Sequence, residues 1–318
     1  MRDDLLHVIA VVSNPVRYKS RYTLFNQFQK QCQASGHTLW VVETAFGDRP
    51  YEVTQAGNPN HIQLRTWDEI WMKENMINIA IQRLPANWEY VAWVDADVTF
   101  TRGDWATETV QQLQHYYVVQ MFSHALDLGP YEEPIQSHEG FCYNYVRGIQ
   151  NGQSGPPSGG YYYYQPKPGT NQWHPGYAWA ARRDALDRIG GGIWDLAILG
   201  AADHHLAHSL IGNIQNSLPK GLHKNYVDGL MARQVLMEKY IQRDIGYVPG
   251  TIVHHWHGSK RNRFYKERWQ ILLENNYDPA LDVTRDASGM LKFTRNKPRL
   301  RDQIRNYFRS RHEDSIDL

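Results

Sequence analysis

Apolar residues fall along this chain in two rhythms. Unbroken runs of strand length stand at LLHVIAVVS (residues 5–13), HTLWVVET (37–44), YVAWV (90–94) and YYVVQMFS (116–123), and each reads as a buried strand. Between them the spacing becomes helical. SRYTLFNQFQKQCQASG sets Leu24, Phe28 and Cys32 on one face and stops at Gly36. RTWDEIWMKENMINIAIQRLP pairs Thr66 with Glu69 at capping-box spacing and ends before Pro85. Strand, helix, strand, helix, strand predicts an α/β fold with a mainly parallel sheet and helices on its faces.

The second half changes character. RGIQNGQSGPPSGGYYYYQPKPGTNQWHPG (147–176) is rich in Gly and Pro and predicts a long loop over 151–175. Regular spacing resumes in YAWAARRDALDRIGG and AADHHLAHSLIG, and IGYVPGTIVHHWHG reads as one strand. Near the end, PRLRDQIRNYFRSR repeats Leu300, Ile304 and Phe308 at helical spacing among arginines. Such a helix either docks by its apolar stripe or offers a basic patch to a nucleic acid or an anionic membrane.

Composition narrows the class. A chain of 318 residues, 42% hydrophobic and 21% charged, is an ordinary globular one. Its formal charge of +1 argues against whole-molecule attraction to nucleic acid or membrane. Cys32 and Cys142 give no disulfide framework or thiolate cluster and suit a reducing compartment. No apolar run spans a membrane, and acids stand where a signal peptide carries bases, so a cytoplasmic location is expected. The 20 Tyr and 11 Trp supply faces for sugar rings or bases as well as for the core.

Chemistry gathers at three places. Asp95 and Asp97 end the YVAWV strand, where ligands collect in parallel sheets, and carboxylates at i and i+2 project to one side. A divalent cation with phosphate oxygens would offset their repulsion. In TIVHHWHGSKRNR an extended backbone would put His255 and His257 on one side, with Lys260, Arg261 and Arg263 beyond them for phosphates. Asp203, after small residues at the start of a helix, is either a proton acceptor or an N-cap. His204 and His208 stand at i and i+4, without the glutamate of a zinc-peptidase motif.

In order and spacing over roughly residues 5–260, these pieces resemble metal-dependent glycosyltransferases of the GT-A fold, inverting family 2-like. Asp95-Ala96-Asp97 looks like the family's D-x-D motif, PGYAWAARRDALDRIGG like its acceptor-side segment, GAADHH like its acidic base and HHWHG like its late histidine ligand. The resemblance implies a GT-A-like catalytic domain over 1–258, with a nucleotide-sugar half (1–110), an acceptor half (111–258), and a basic helical extension over 259–318. It implies a nucleotide-diphosphate sugar donor, a UDP-sugar foremost, and Mn²⁺ or Mg²⁺ held by Asp95, Asp97 and His257, with His255 as the alternative. Val12, Ser13, Asn14, Glu43, Lys73, Asn75, Asp95 and Lys260 would line the donor, and Asp203 would be the base of an inverting reaction. Tyr163, Trp173, Gly176, Tyr177 and Trp179 would face the acceptor, either a glycan or polysaccharide or a hydroxylated base in DNA.

Three other readings stay open at this level: a retaining transferase, a carbohydrate-binding protein without chemistry, and a metal-dependent nucleotidyltransferase. The lack of a glycine-rich P-loop weighs against phosphoryl transfer.

Overall fold

The first apolar run becomes the central strand, β1 (Asp3–Ser13), in a computed structural model that describes residues 3–33, 37–150 and 173–317. Val8, Ile9 and Ala10 are fully buried, as an apolar run without alternation requires of a strand covered on both faces. Then come α1 (Lys19–Gln33), β2 (Thr38–Phe46), β3 (His61–Thr66), α2 (Lys73–Ile81) and β4 (Trp88–Val94). Next are β5 (Val98–Phe100), α3 (Trp105–His115), β6 (Val118–Gln120), β7 (His124–Leu128), β8 (Pro134–Gly140) and α4 (Phe141–Gln150). After residue 172 the chain forms β9 (Trp173–His174), β10 (Ala178–Arg182), α5 (Arg183–Arg188), α6 (Ala202–Leu210) and α7 (Lys224–Tyr240). β11 (Ile245–Tyr247), β12 (Thr251–His254), α8 (Glu267–Glu274), β13 (Val283–Arg285), β14 (Leu291–Phe293) and α9 (Pro298–Ser310) complete the order.

Seven strands make the main sheet, in the order β11-β6-β10-β4-β1-β2-β3. β10 runs against both neighbours, and every other pairing in this sheet is parallel. The protein is thus the expected α/β fold, with a central, mainly parallel sheet flanked by helices. From β1 the chain builds outward through β2 and β3, then returns to lay β4 on the other side of β1. That reversal leaves a crevice at the carboxyl ends of β1 and β4, the place where such sheets bind ligands. Side chains alternate between two cores: Ile9, Val91 and Trp93 join one, while Val8, Ala10, Ala92 and Val94 join the other.

A second sheet, β5-β12-β7-β8-β9, brings together segments far apart in sequence. Here two expectations are corrected. YYVVQMFS is not one strand, because β6 stops at Gln120 and the chain turns into β7 of the second sheet. IGYVPGTIVHHWHG likewise divides into β11 and β12 in different sheets. Pro249 interrupts the run, and Gly250, at φ 150°, takes a conformation open to glycine that lets the chain change direction.

The helix expected from Thr66 begins later, at Lys73. Thr66 closes β3, and its hydroxyl accepts the Asp68 N–H at 3.1 Å in a local turn, so the capping box never forms. At the C-terminal end, α9 docks by its apolar stripe, with Leu300 and Ile304 fully buried in the main core. Its arginines reach carboxylates: Arg305 and Arg309 pair with Glu69, Arg299 with Glu274, and Arg301 with Asp302. Among the described residues no helix is long and apolar enough to cross a membrane.

Candidate active site

Two cavities meet at the end of β4. One, of about 880 Å³, lies in the crevice between β1 and β4 and is walled by Val11, Val12, Ser13, Leu24, Met72 and Phe308. The other, of about 1380 Å³, is lined by Gln136, His138, His174, Gly176, Tyr177 and Asp203 among others. Trp71, Lys73, Asp95, Asp97, His257, Arg263 and Arg311 line both. The acidic pair therefore stands at a waist between two chambers.

Each member of the pair has its own partner. Lys73, in the first turn of α2, forms an ion pair with Asp95. A lysine there works against the helix dipole, and the carboxylates of Asp95, Glu74 and Asp203 nonetheless raise its pKa against the cost of burial. Burial raises the pKa of Asp95, and the like charge of Asp97 adds to it against the pull of Lys73. Asp97 Oδ2 lies 3.1 Å from His257 Nε2 and 4.0 Å from His254 Nε2. Burial disfavours its charge, but the Arg263 and Lys73 cations among its neighbours help hold its pKa below the usual range.

The histidines differ from the pattern expected of a strand. β12 ends at His254, so strand alternation no longer governs the residues after it. His255 turns to Thr99, with its Nε2 2.8 Å from the hydroxyl, and leaves the acids, which corrects its place as the alternative ligand. His254 takes that place beside His257. Among the described residues, Asp97, His254 and His257 are the one trio of potential metal ligands, their ligand atoms within 4.8 Å of one another.

These residues fit a divalent cation. His257 Nδ1 faces the His255 carbonyl at 3.0 Å and His254 Nδ1 faces Asp127 Oδ1 at 2.9 Å. Each acceptor places the ring proton on Nδ1 and leaves Nε2 as a lone pair. Burial, then the Arg263 charge, drives the His257 pKa down to about 3, so its ring is neutral as a ligand requires. Asp97 Oδ1 is buried and has no hydrogen-bond partner. One carboxylate with two imidazoles suits a first-row transition ion such as Mn²⁺ better than Mg²⁺, which prefers oxygen ligands.

Basic groups surround this waist. Arg263 Nη2 approaches His257 Nε2 at 2.6 Å, while its buried Nε lacks a partner. Arg311 is buried, lies 5.2 Å from the Trp71 ring centre and pairs with Glu313, which also takes two bonds from Arg21 at 2.5 and 2.7 Å. The Trp71 and Phe308 rings lie nearly parallel, 5° apart in plane with centres 6.4 Å apart. The helical spacing around Phe308 and the arginines was legible in the chain, but only the docking of α9 brings Phe308 and Arg311 to this waist.

Asp203 is the second residue of α6, one position past the helix start. Its Oδ1 accepts the His204 N–H at 2.9 Å. Gly176 makes room for it: a Cβ on Gly176 would sit 2.9 Å from Asp203 Oδ2 and 3.1 Å from His174 Cε1. Tyr177 at φ 76° and Ala201 at φ 81° flank this corner in left-handed conformations costly for side chains other than glycine. Glu74 lines the same cavity as Asp203. Burial lifts its pKa to about 7, against the pull of Lys73.

Other expected residues have structural tasks. Val12 and Ser13 line the smaller cavity, but Asn14 is spent on Tyr18, bonding its N–H and carbonyl at 2.9 and 2.8 Å. Glu43 accepts the N–H groups of Glu52, Val53 and Thr54, fastening that loop instead of a nucleoside. Asn75 is buried and tethers the β13–β14 hairpin through Gly289 and Leu291. Lys260 lines the larger cavity, yet its ammonium is bound to Asp127, Gln136 and His138. Trp179 is 1% exposed, with its indole N–H on the Pro175 carbonyl at 2.7 Å, and is a core residue, not a stacking platform. Trp173 packs edge-on against Phe141. Tyr163, with most of the expected loop, lies outside the described residues. His204 and His208 pack as rings 4.6 Å apart on α6, with no third ligand among the described residues.

No known protein-family profile matches the chain, and no curated protein is similar to it. Among solved structures it is similar to Drosophila beta1,4-galactosyltransferase 7. One is the catalytic domain with xylobiose (11% identity, 67% of this chain and 61% of that one, TM-score 0.29). Another is a mutant with manganese, UDP-Gal and xylobiose (9% identity, 92% and 96%, TM-score 0.37). It is also similar to S. aureus TarS (11% identity, 84% and 40%, TM-score 0.38). The chain thus spans less than two thirds of the first of these and of TarS. Likeness this distant leaves the site to be read from its own residues.

Proposed function

We propose that this protein is a metal-dependent glycosyltransferase of the GT-A type that moves a sugar from a nucleotide-diphosphate donor to an acceptor hydroxyl. The observation that carries the reading is the waist itself: paired acids, two imidazoles and clustered cationic groups at the switch point of a parallel sheet, between two chambers. The smaller chamber offers apolar walls and the parallel rings of Trp71 and Phe308 to a nucleoside. The larger one, with Asp203 in its wall, suits an acceptor.

Asp97, His254 and His257 would hold the cation, which when bound supplies Lewis-acid stabilisation to a departing diphosphate. Lys73 and Arg263 add fixed positive charge beside it, where charge grows as the sugar leaves. Asp95, tied to Lys73, orients that ammonium at the waist. Asp203 accepts the acceptor hydroxyl's proton as its oxygen bonds to the anomeric carbon. The bond from that carbon to the phosphate oxygen breaks, and its electron pair leaves with the diphosphate. Attack from the chamber opposite the donor inverts the configuration. A UDP-sugar is the first donor to test, and a glycan the first acceptor.

The test is a panel of nucleotide sugars presented with Mn²⁺ or with EDTA, scored by thermal shift and slow donor hydrolysis. Metal-dependent binding and hydrolysis of one donor is expected. Binding of none, or cleavage of nucleoside triphosphates instead, sinks the reading.

A further inference from the structure

One buried carboxylate lies behind the metal site. Asp127, on β7, is 1% exposed, and both its oxygens are fully engaged. Oδ1 takes the Tyr177 hydroxyl at 2.8 Å and His254 Nδ1 at 2.9 Å. Oδ2 takes His138 Nε2 at 2.5 Å and the Lys260 ammonium. The contact with His254 is built into the sheet, because β7 and β12 pair in parallel with Asp127 directly opposite His254. Tyr177, His138 and Lys260 all line the larger chamber, while His254 Nε2 points at Asp97.

We propose that Asp127 is a positioning residue: it locks the His254 ring in the Nδ1–H form, Nε2 toward the cation, and ties the metal centre to the wall of the acceptor chamber. This rests on the metal-dependent reading above. A carboxylate behind a ligating imidazole fixes its tautomer and orientation and strengthens it as a donor, and its loss typically weakens metal binding about 10- to 100-fold.

The experiment titrates the full chain with Mn²⁺ alone and follows free ion by its EPR signal, for the wild type and for Asp97→Ala, His254→Gln, Asp127→Asn and the double variant Asp127→Asn/His254→Gln. Asp127→Asn should bind Mn²⁺ about 10- to 100-fold more weakly, and the double variant no more weakly than His254→Gln alone. Should Asp127→Asn fail to fold, the wild type still answers. Long-range ¹H–¹⁵N spectra of its histidines should place the His254 proton on Nδ1, and a proton on Nε2 would overturn the proposal. Wild-type affinity in Asp127→Asn beside weakened His254→Gln would also overturn it, leaving the metal site standing. If Asp97→Ala binds Mn²⁺ as the wild type does, the metal-dependent reading itself fails.

Discussion

Asp97 Oδ2 and His257 Nε2 lie 3.1 Å apart, one from the turn after β4 of the main sheet and the other from the loop after β12 of the second. Each sheet supplies part of one site, and its chemistry depends on their junction.

The first expectation concerns that junction. Asp97→Ala removes the carboxylate of the trio and should abolish specific Mn²⁺ binding. Calorimetry should then find that EDTA and the substitution weaken nucleotide-sugar binding equally and not additively. Independent effects would place the cation elsewhere.

Asp203 can be probed directly and through its neighbour. Asp203→Asn should lower turnover about 10²- to 10⁴-fold while donor affinity is kept. Gly176→Ala puts a methyl group 2.9 Å from Asp203 Oδ2 and 3.1 Å from His174 Cε1, so it should displace the carboxylate and imitate that loss. Full activity in Gly176→Ala would show that the position of Asp203 does not matter.

Glu74 makes stability depend on pH. Its folded pKa of about 7 lies above the ordinary 4.5, so the fold favours the protonated form. That contribution is complete below pH 4.5 and is lost as pH rises through 7, at a cost of up to about 3 kcal/mol at ~1.4 kcal/mol per unit. Glu74→Gln should therefore stabilise the protein at pH 8.5 and leave it unchanged at pH 4.5 in urea titrations.

Glu313 acts at the other end of the scale. Its buried carboxylate is held well below the usual range, because the charges of Arg21 and Arg311 outweigh the cost of burial. Its contribution is present above pH 4.5 and fades as pH falls toward the lower, folded value. Glu313→Gln leaves the buried Arg311 charge uncompensated and should cost about 3–5 kcal/mol at pH 7. Chemical denaturation would detect a change of that size, and its absence would mean the pair is not essential to the C-terminal fold.

Local pattern was enough for the parts whose physics is local. Runs such as LLHVIAVVS and YVAWV fixed themselves as buried strands, since an unbroken apolar run of that length needs cover on both faces. Asp95 and Asp97 were visible because they interrupt such a run where a parallel sheet opens. The sequence also placed Asp203 beside a helix start and Gly176 before an aromatic residue. Tertiary structure decided what depends on where strands end and which distant strands pair. Strand alternation grouped His255 with His257, but β12 stops at His254, and it is His254 that joins His257 beside Asp97. Asp127 carries no motif, and it matters only because parallel register sets it opposite His254. Glu43 and Asn75 looked like surface groups near a ligand, yet Glu43 fastens the loop that follows its own strand and Asn75 holds a distant hairpin. Apolar burial is written residue by residue along the chain, whereas a hydrogen-bonding group takes its meaning from whichever partner the folded chain brings within 3 Å or so.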